Sequence, residues 1–148
     1  MARHPEEFLN NSSVSLIALL AVVLLPVMSC RGADTAHSDM IELHRVRAND
    51  LDVVLLSDDG TLNRDKDVVT IEFRRGDQLV DVGTVKGAAT MPMAGMPSMM
   101  GSVFLERTNQ PGRYMAETDL SMAGGWTLNL EWDGPVGKGK ASLPTTAE

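Results

Sequence analysis

An alternation of apolar and polar residues sets in at Leu51 and recurs almost to the end of the chain, and it constrains the fold more than any other feature. In "LDVVLLS" (51–57) Leu51, Val53 and Leu55 share one side. In "VVTIEF" (68–73) Val69, Ile71 and Phe73 do, with Val68, Thr70 and Glu72 opposite. A period of two marks a half-buried β-strand, because successive side chains leave the pleated backbone on opposite faces. The pattern returns in "LVDVGTV" (79–85), "SVFLERT" (102–108), "RYMAETDL" (113–120) and "GWTLNLEW" (125–132), and "GKASL" (139–143) can add an edge strand. "SDDG" (57–60) and "NQPG" (109–112) supply turns between them. About seven short strands with such punctuation describe an all-β chain folded as an antiparallel immunoglobulin-like sandwich.

Composition agrees and narrows the partners. A chain of 148 residues with 43% hydrophobic content supports one domain with a core of its own. Few aromatics, and few long runs of Leu, Ala, Glu and Lys, argue against a helical bundle. The formal charge is −7 and the basic residues are scattered, which excludes nucleic acid as an expected partner.

The first thirty residues read as an address ahead of the fold. "VSLIALLAVVLLPV" (14–27) is an apolar run of signal-sequence length, shorter than a comfortable membrane span. It closes on "VMSC", which resembles the lipobox of bacterial lipoproteins, where the signal is cut before a cysteine that then carries the lipid. The resemblance implies a signal peptide over 1–29 and lipidation of Cys30, so that the domain sits in the cell envelope, facing the periplasm or the extracellular side. The other reading is an uncleaved anchor helix with Cys30 an incidental thiol; both attach the chain to a membrane. Cys30 is the only cysteine, so its lipidation leaves no thiol for a disulfide or a nucleophile.

Residues 30–49 have no sustained apolar period and read as a flexible tether, with the domain proper over 50–145. His37 and His44 fall in that tether and read as solvated residues. In the acidic turn "SDDGTLNRDKD" (57–67) the carboxylates do not alternate ahead of the glycine as an EF-hand requires, which favours an ordinary polar turn over calcium. No Ser-His-Asp order can be assembled, and the remaining carboxylates read as surface charges, so an enzyme is not expected.

The order of features resembles the YtkA-like domain family. A strand-turn-strand opening leads to Met91-Pro92, then to Gly112-Arg113-Tyr114, then to Met122-Ala123-Gly124-Gly125-Trp126. The likeness runs from about Leu51 to Leu143. It implies an exported, membrane-tethered sandwich similar to CopC-like and FixH-like domains, associated with copper handling or heavy-metal efflux, with an envelope transport or efflux protein as partner. Histidine often accompanies the methionines of that family; the methionine segment here has none, which disfavours a mixed His and Met site or Cu(II).

That segment, "MPMAGMPSMMG" (91–101), holds five methionines in eleven residues. Pro92 and Pro97 deny it a regular helix, and Gly95 and Gly101 allow turns, so it reads as a shaped loop. Met91, Met93, Met96, Met99 and Met100 are the candidate ligands. Thioether is a soft, uncharged donor that needs no deprotonation and suits Cu(I) or Ag(I) over Zn(II), Mg(II) or Ca(II). The alternative is packing, since methionine fills irregular gaps and lies well against aromatic rings. Met91 and Met93 fit either role equally, while Met96, Met99 and Met100 lean toward exposure. Met122 reads as a hydrophobic contact before it reads as a ligand. Trp126 and Trp132 are expected in the core, and Tyr114 as a sandwich-corner tyrosine whose hydroxyl seeks a backbone acceptor.

Overall fold

The computed structural model describes residues 40–148. The expected signal peptide, Cys30, His37 and the tether as far as residue 39 lie outside the described residues. Within them the chain forms nine strands and no helix: β1 (Ile41–Ala48), β2 (Leu51–Ser57), β3 (Asp65–Arg75), β4 (Gln78–Leu79), β5 (Thr84–Met93), β6 (Met96–Arg107), β7 (Arg113–Leu120), β8 (Gly124–Gly134) and β9 (Gly137–Ala147). All pair antiparallel in the order β1-β2-β3-β7-β6-β5-β8-β9, with β4 attached to the end of β3. The sandwich is nearly barrel-like, because its two layers are joined by continuous pairing from β7 to β6. Leu62, in the β2–β3 connection, bridges Ala147 of β9 in parallel, and Glu148 N–H donates to Leu62 O at 2.9 Å while Arg64 N–H donates to Glu148 O at 2.8 Å.

The alternation read from the sequence is what fills the interior. Leu51, Val53, Leu55, Val69, Ile71, Phe73, Trp126, Leu128, Leu130 and Trp132 are all buried. Phe73 stands at the centre, edge-on to Tyr114 at 5.5 Å and to Trp132 at 5.2 Å between ring centroids, the tilted arrangement that aromatic quadrupoles favour. The Tyr114 hydroxyl donates to Gly83 O at 2.7 Å, which ties β7 to the backbone just before β5, as expected of a corner tyrosine.

Three expectations are corrected. Residues 41–48 are a strand and not a tether: β1 pairs β2 along its length, with a register shift between Glu42 and His44 that breaks the apolar period and hides the strand from a search for alternation. His44 is therefore a half-buried strand residue paired with Leu55. Next, "GKASL" does add an edge strand, as read, but its extent is corrected: it is the middle of the eleven-residue β9, which pairs β8 from Gly124 to Gly134. Finally, Glu72 alternates outward as read but is fully buried and is no ordinary surface charge. Its carboxylate accepts from Arg113 Nε at 2.6 Å and Nη2 at 2.6 Å, from Arg74 Nε at 2.6 Å, and from Arg74 Nη2.

Candidate functional site

The methionine segment is a hairpin rather than a loop. β5 runs on through Met91, Pro92 and Met93, turns at Ala94-Gly95, and returns as β6 from Met96. Gly95 takes φ +73°, a left-handed value that glycine adopts without the Cβ penalty, and this closes a two-residue connection. The prolines that deny a helix are compatible with a strand here because the hairpin runs beyond the backbone pairing of its neighbours. β8 stops pairing β5 at Thr90, and β7 stops pairing β6 at Ser102. Residues 91–101 thus form a two-stranded ribbon with both outer edges unpaired, a setting that tolerates a strand proline, as does the register shift at which Pro92 falls.

Register decides which methionines stand opposite one another. Met91 lies opposite Met99, and Met93 opposite Met96, with a register shift between the two pairs. Directly opposed residues of an antiparallel pair hold their Cβ atoms about 4.5–5.5 Å apart on the same face, within reach of long side chains. Ala89 and Gly101 form the next inward pair below Met91 and Met99, and both of these methionines pack against the core. Met100 pairs Thr90 and alternates to the outer face. The five candidates therefore divide: Met91 with Met99 and Met93 with Met96 are brought together, and Met100 is not. Met91, Met93 and Met99 are half-buried, whereas Met96 and Met100 are 60% and 66% exposed.

The floor of the ribbon is set by the β7–β8 turn. Trp126 Nε1–H donates to Met122 O at 3.0 Å, fixing that turn beneath the hairpin. A Cβ on Gly124 would stand 2.6 Å from Met91 Cε and 3.8 Å from its Sδ, so the absence of a side chain there is what lets Met91 lie down on the entry of β8. Met122 itself is 38% exposed at this end of the sandwich.

The donor chemistry is uniform. No charged residue and no histidine occurs from Gly87 to Leu105, a span that contains the whole ribbon. Among the described residues no three His, Cys, Asp or Glu side chains gather in a way that could hold a metal ion. Two opposed thioether pairs fit a soft monovalent ion; they do not fit ions that call for carboxylate or carbonyl oxygens. The acidic turn is likewise engaged in its own backbone. Asp59 accepts from Ser57 Oγ–H at 2.6 Å and Thr61 N–H at 2.9 Å, and Asp67 from Asn63 N–H at 2.7 Å and Val68 N–H at 2.8 Å.

Sequence reasoning missed a set of exposed apolar side chains on the outer face of β3, β7 and β6. Val68 and Phe104 flank Glu117 in one cross-strand row, and Met115 and Met100 lie on the same face. They are 56%, 62%, 43% and 66% exposed, in that order of naming. Val68 was legible as outward-facing, but the register that aligns it with Phe104 is not contained in either strand alone.

These features define an antiparallel β-sandwich that carries a methionine-rich ribbon beyond one end. The family described as YtkA-like matches residues 45–131, more than half of the chain, and the protein belongs to that family. The match takes in the ribbon, the Gly112-Arg113-Tyr114 strand entry and the turn at Met122, and it stops short of β9. No curated protein and no solved structure matches the chain.

Proposed function

We propose that this protein is an exported, membrane-anchored binding module, and not an enzyme, that holds a soft monovalent metal ion through its methionine ribbon. The ion is Cu(I) or Ag(I), and the role is metal handling or efflux alongside an envelope transport protein. One observation carries the reading: two pairs of methionines stand in direct cross-strand opposition on a ribbon without charge. Met91 and Met99 form the inner pair and Met93 and Met96 the outer, and thioethers bind such ions without releasing protons. Lipid on Cys30 supplies the anchor.

The test uses register. The full chain in detergent is titrated with Cu(I) under anaerobic competition against a chromophoric chelator. Leu at Met91 and Met99 together abolishes tight binding, whereas Met100→Leu leaves it intact. Equal weak binding by all three proteins ends the metal reading.

The exposed row of Val68, Phe104, Met115 and Met100 favours a second reading, an interaction module whose outer sheet face meets an envelope protein. Phe104→Ser would then remove a partner recovered from membranes without copper and leave Cu(I) binding unchanged.

A further inference from the structure

We propose that residues 35–39, immediately ahead of the first described residue, lie as a strap across the outer face of β3 and β7 and shelter Met115 and Val68; the inference is independent of the metal and of the lipid anchor. Two observations carry it: the place where the described chain begins, and the uneven burial of the face beside it.

That face is the side of the sheet turned away from the core. Val54 and Leu56 alternate outward from the core-facing Val53 and Leu55, yet both are buried without belonging to the core. Across β3 the burial ends. Met115, which pairs Thr70 on the row of Leu56, is exposed, and so is Val68, two residues along β3. Met40 stands where the covered and uncovered parts meet. It shares a cavity of about 320 Å³ with Leu56, Val68, Thr70, Thr108 and Met115. The chain therefore enters the described fold at the rim of a depression on this face.

Reach, chemistry and attachment select the occupant. Five residues span at most about 17 Å, and neighbouring strands lie about 4.8 Å apart, so the segment can cross from Met40 past Met115 on β7. Its sequence, Thr35-Ala36-His37-Ser38-Asp39, is short-chained and polar. It suits a cavity whose walls mix methionine and valine with Thr70, Thr108 and Asn109, where an apolar partner would bury the polar groups at a cost. A segment joined to the rim is also present there at an effective concentration in the millimolar range, ahead of a free second copy or an envelope protein. The strap and the partner of the second reading above compete for one surface, and the tether sets when that surface is open.

The test is oxidation of the full chain in detergent. Met100 and Met115 lie on the same outer face and both are exposed, and sulfoxide formation follows exposure. Under limiting peroxide Met115 is expected to oxidise several-fold more slowly than Met100, as peptide mass spectrometry resolves. Replacing residues 35–39 by glycines removes their side-chain contacts and raises the entropy lost on ordering, and is expected to bring the two rates together. Equal rates in the natural chain overturn the inference. Protection of Met115 that survives the replacement also overturns it and assigns the shelter to the strands themselves. Protection that rises with protein concentration overturns it in favour of a second copy.

Discussion

At the scale of single residues the strongest constraint away from the ribbon is Glu72. It is completely buried, and the two arginines that clamp it retain only 14% and 15% exposure. Breaking such a group by removing one partner costs about 3–5 kcal/mol, because the remaining charge is left without compensation. Since each guanidinium keeps some water, Glu72→Gln is expected to cost about 3 kcal/mol, at the lower end of that range. Urea unfolding checks it: the midpoint falls with the slope unchanged. Asp50→Asn, which removes the exposed partner of Arg75 at 2.5 Å, shifts stability by less than about 0.5 kcal/mol. A second residue gives a pH signature. Hydrogen bonds from Ser57, then from Thr61, hold the Asp59 carboxyl at about 2 against an ordinary 3.8. With the folded value depressed, its support of the turn is fully present above about 3.8 and is lost as pH falls through about 2. Ser57→Ala moves the carboxyl back toward its ordinary value, which an NMR titration of the side-chain carbon reads directly.

Among the elements, the ribbon shows how much of the site the sequence contained. The residue types and their soft-donor chemistry were legible, because methionine density and the lack of charge are properties of the string. The hairpin was not. Two prolines in seven residues argue against a strand on local grounds, and they are allowed because neither β7 nor β8 pairs the hairpin there and because Pro92 falls at its register shift. Nor could spacing show that Met99 faces inward beside Met91 while Met100, one residue on, faces out; that follows from the alternation of a strand which the prolines disguised. The same division predicts reactivity. Sulfoxide formation follows exposure, so under limiting peroxide Met96 and Met100 oxidise before Met91 and Met99, as peptide mass spectrometry resolves. If the ribbon holds Cu(I), the metal slows oxidation at Met96, a member of an opposed pair, and leaves Met100 as reactive as before. Equal protection of both, or of neither, speaks against the register as the basis of a site.

For the molecule as a whole, the alternation from Leu51 onward made the sandwich legible, but its two margins were understated for one reason. A marginal strand is recognised by its partner and not by its own period. β1 carries a register shift and contributes only partly buried Leu43, Val46 and Ala48, while β9 spaces small or singly buried residues, Ala141, Leu143 and Ala147, among lysines and threonines. Yet these strands complete the fold. β9 pairs the full length of β8, its last residue bridges Leu62, and Glu148 just beyond it hydrogen-bonds the β2–β3 connection at Leu62 and Arg64, so this end of the chain holds together segments far apart in sequence. The family match ends at residue 131, which makes the contribution of β9 a direct question. A chain ending after Gly134 strips the cover from Leu128, Leu130 and Trp132 and leaves the whole of β8 as an apolar open edge; it is expected to lose its cooperative thermal transition and to aggregate. Deletion of residues 1–39 leaves every described strand in place and is expected to retain the transition. Starting instead at Leu51 removes β1 and exposes the edge of β2, whose Val54 and Leu56 are buried along with its core-facing residues, and lowers the melting temperature. Circular dichroism melts of the three chains check this order, and a chain starting at Leu51 that melts like one starting at Met40 would return residues 41–48 to the status of a tether.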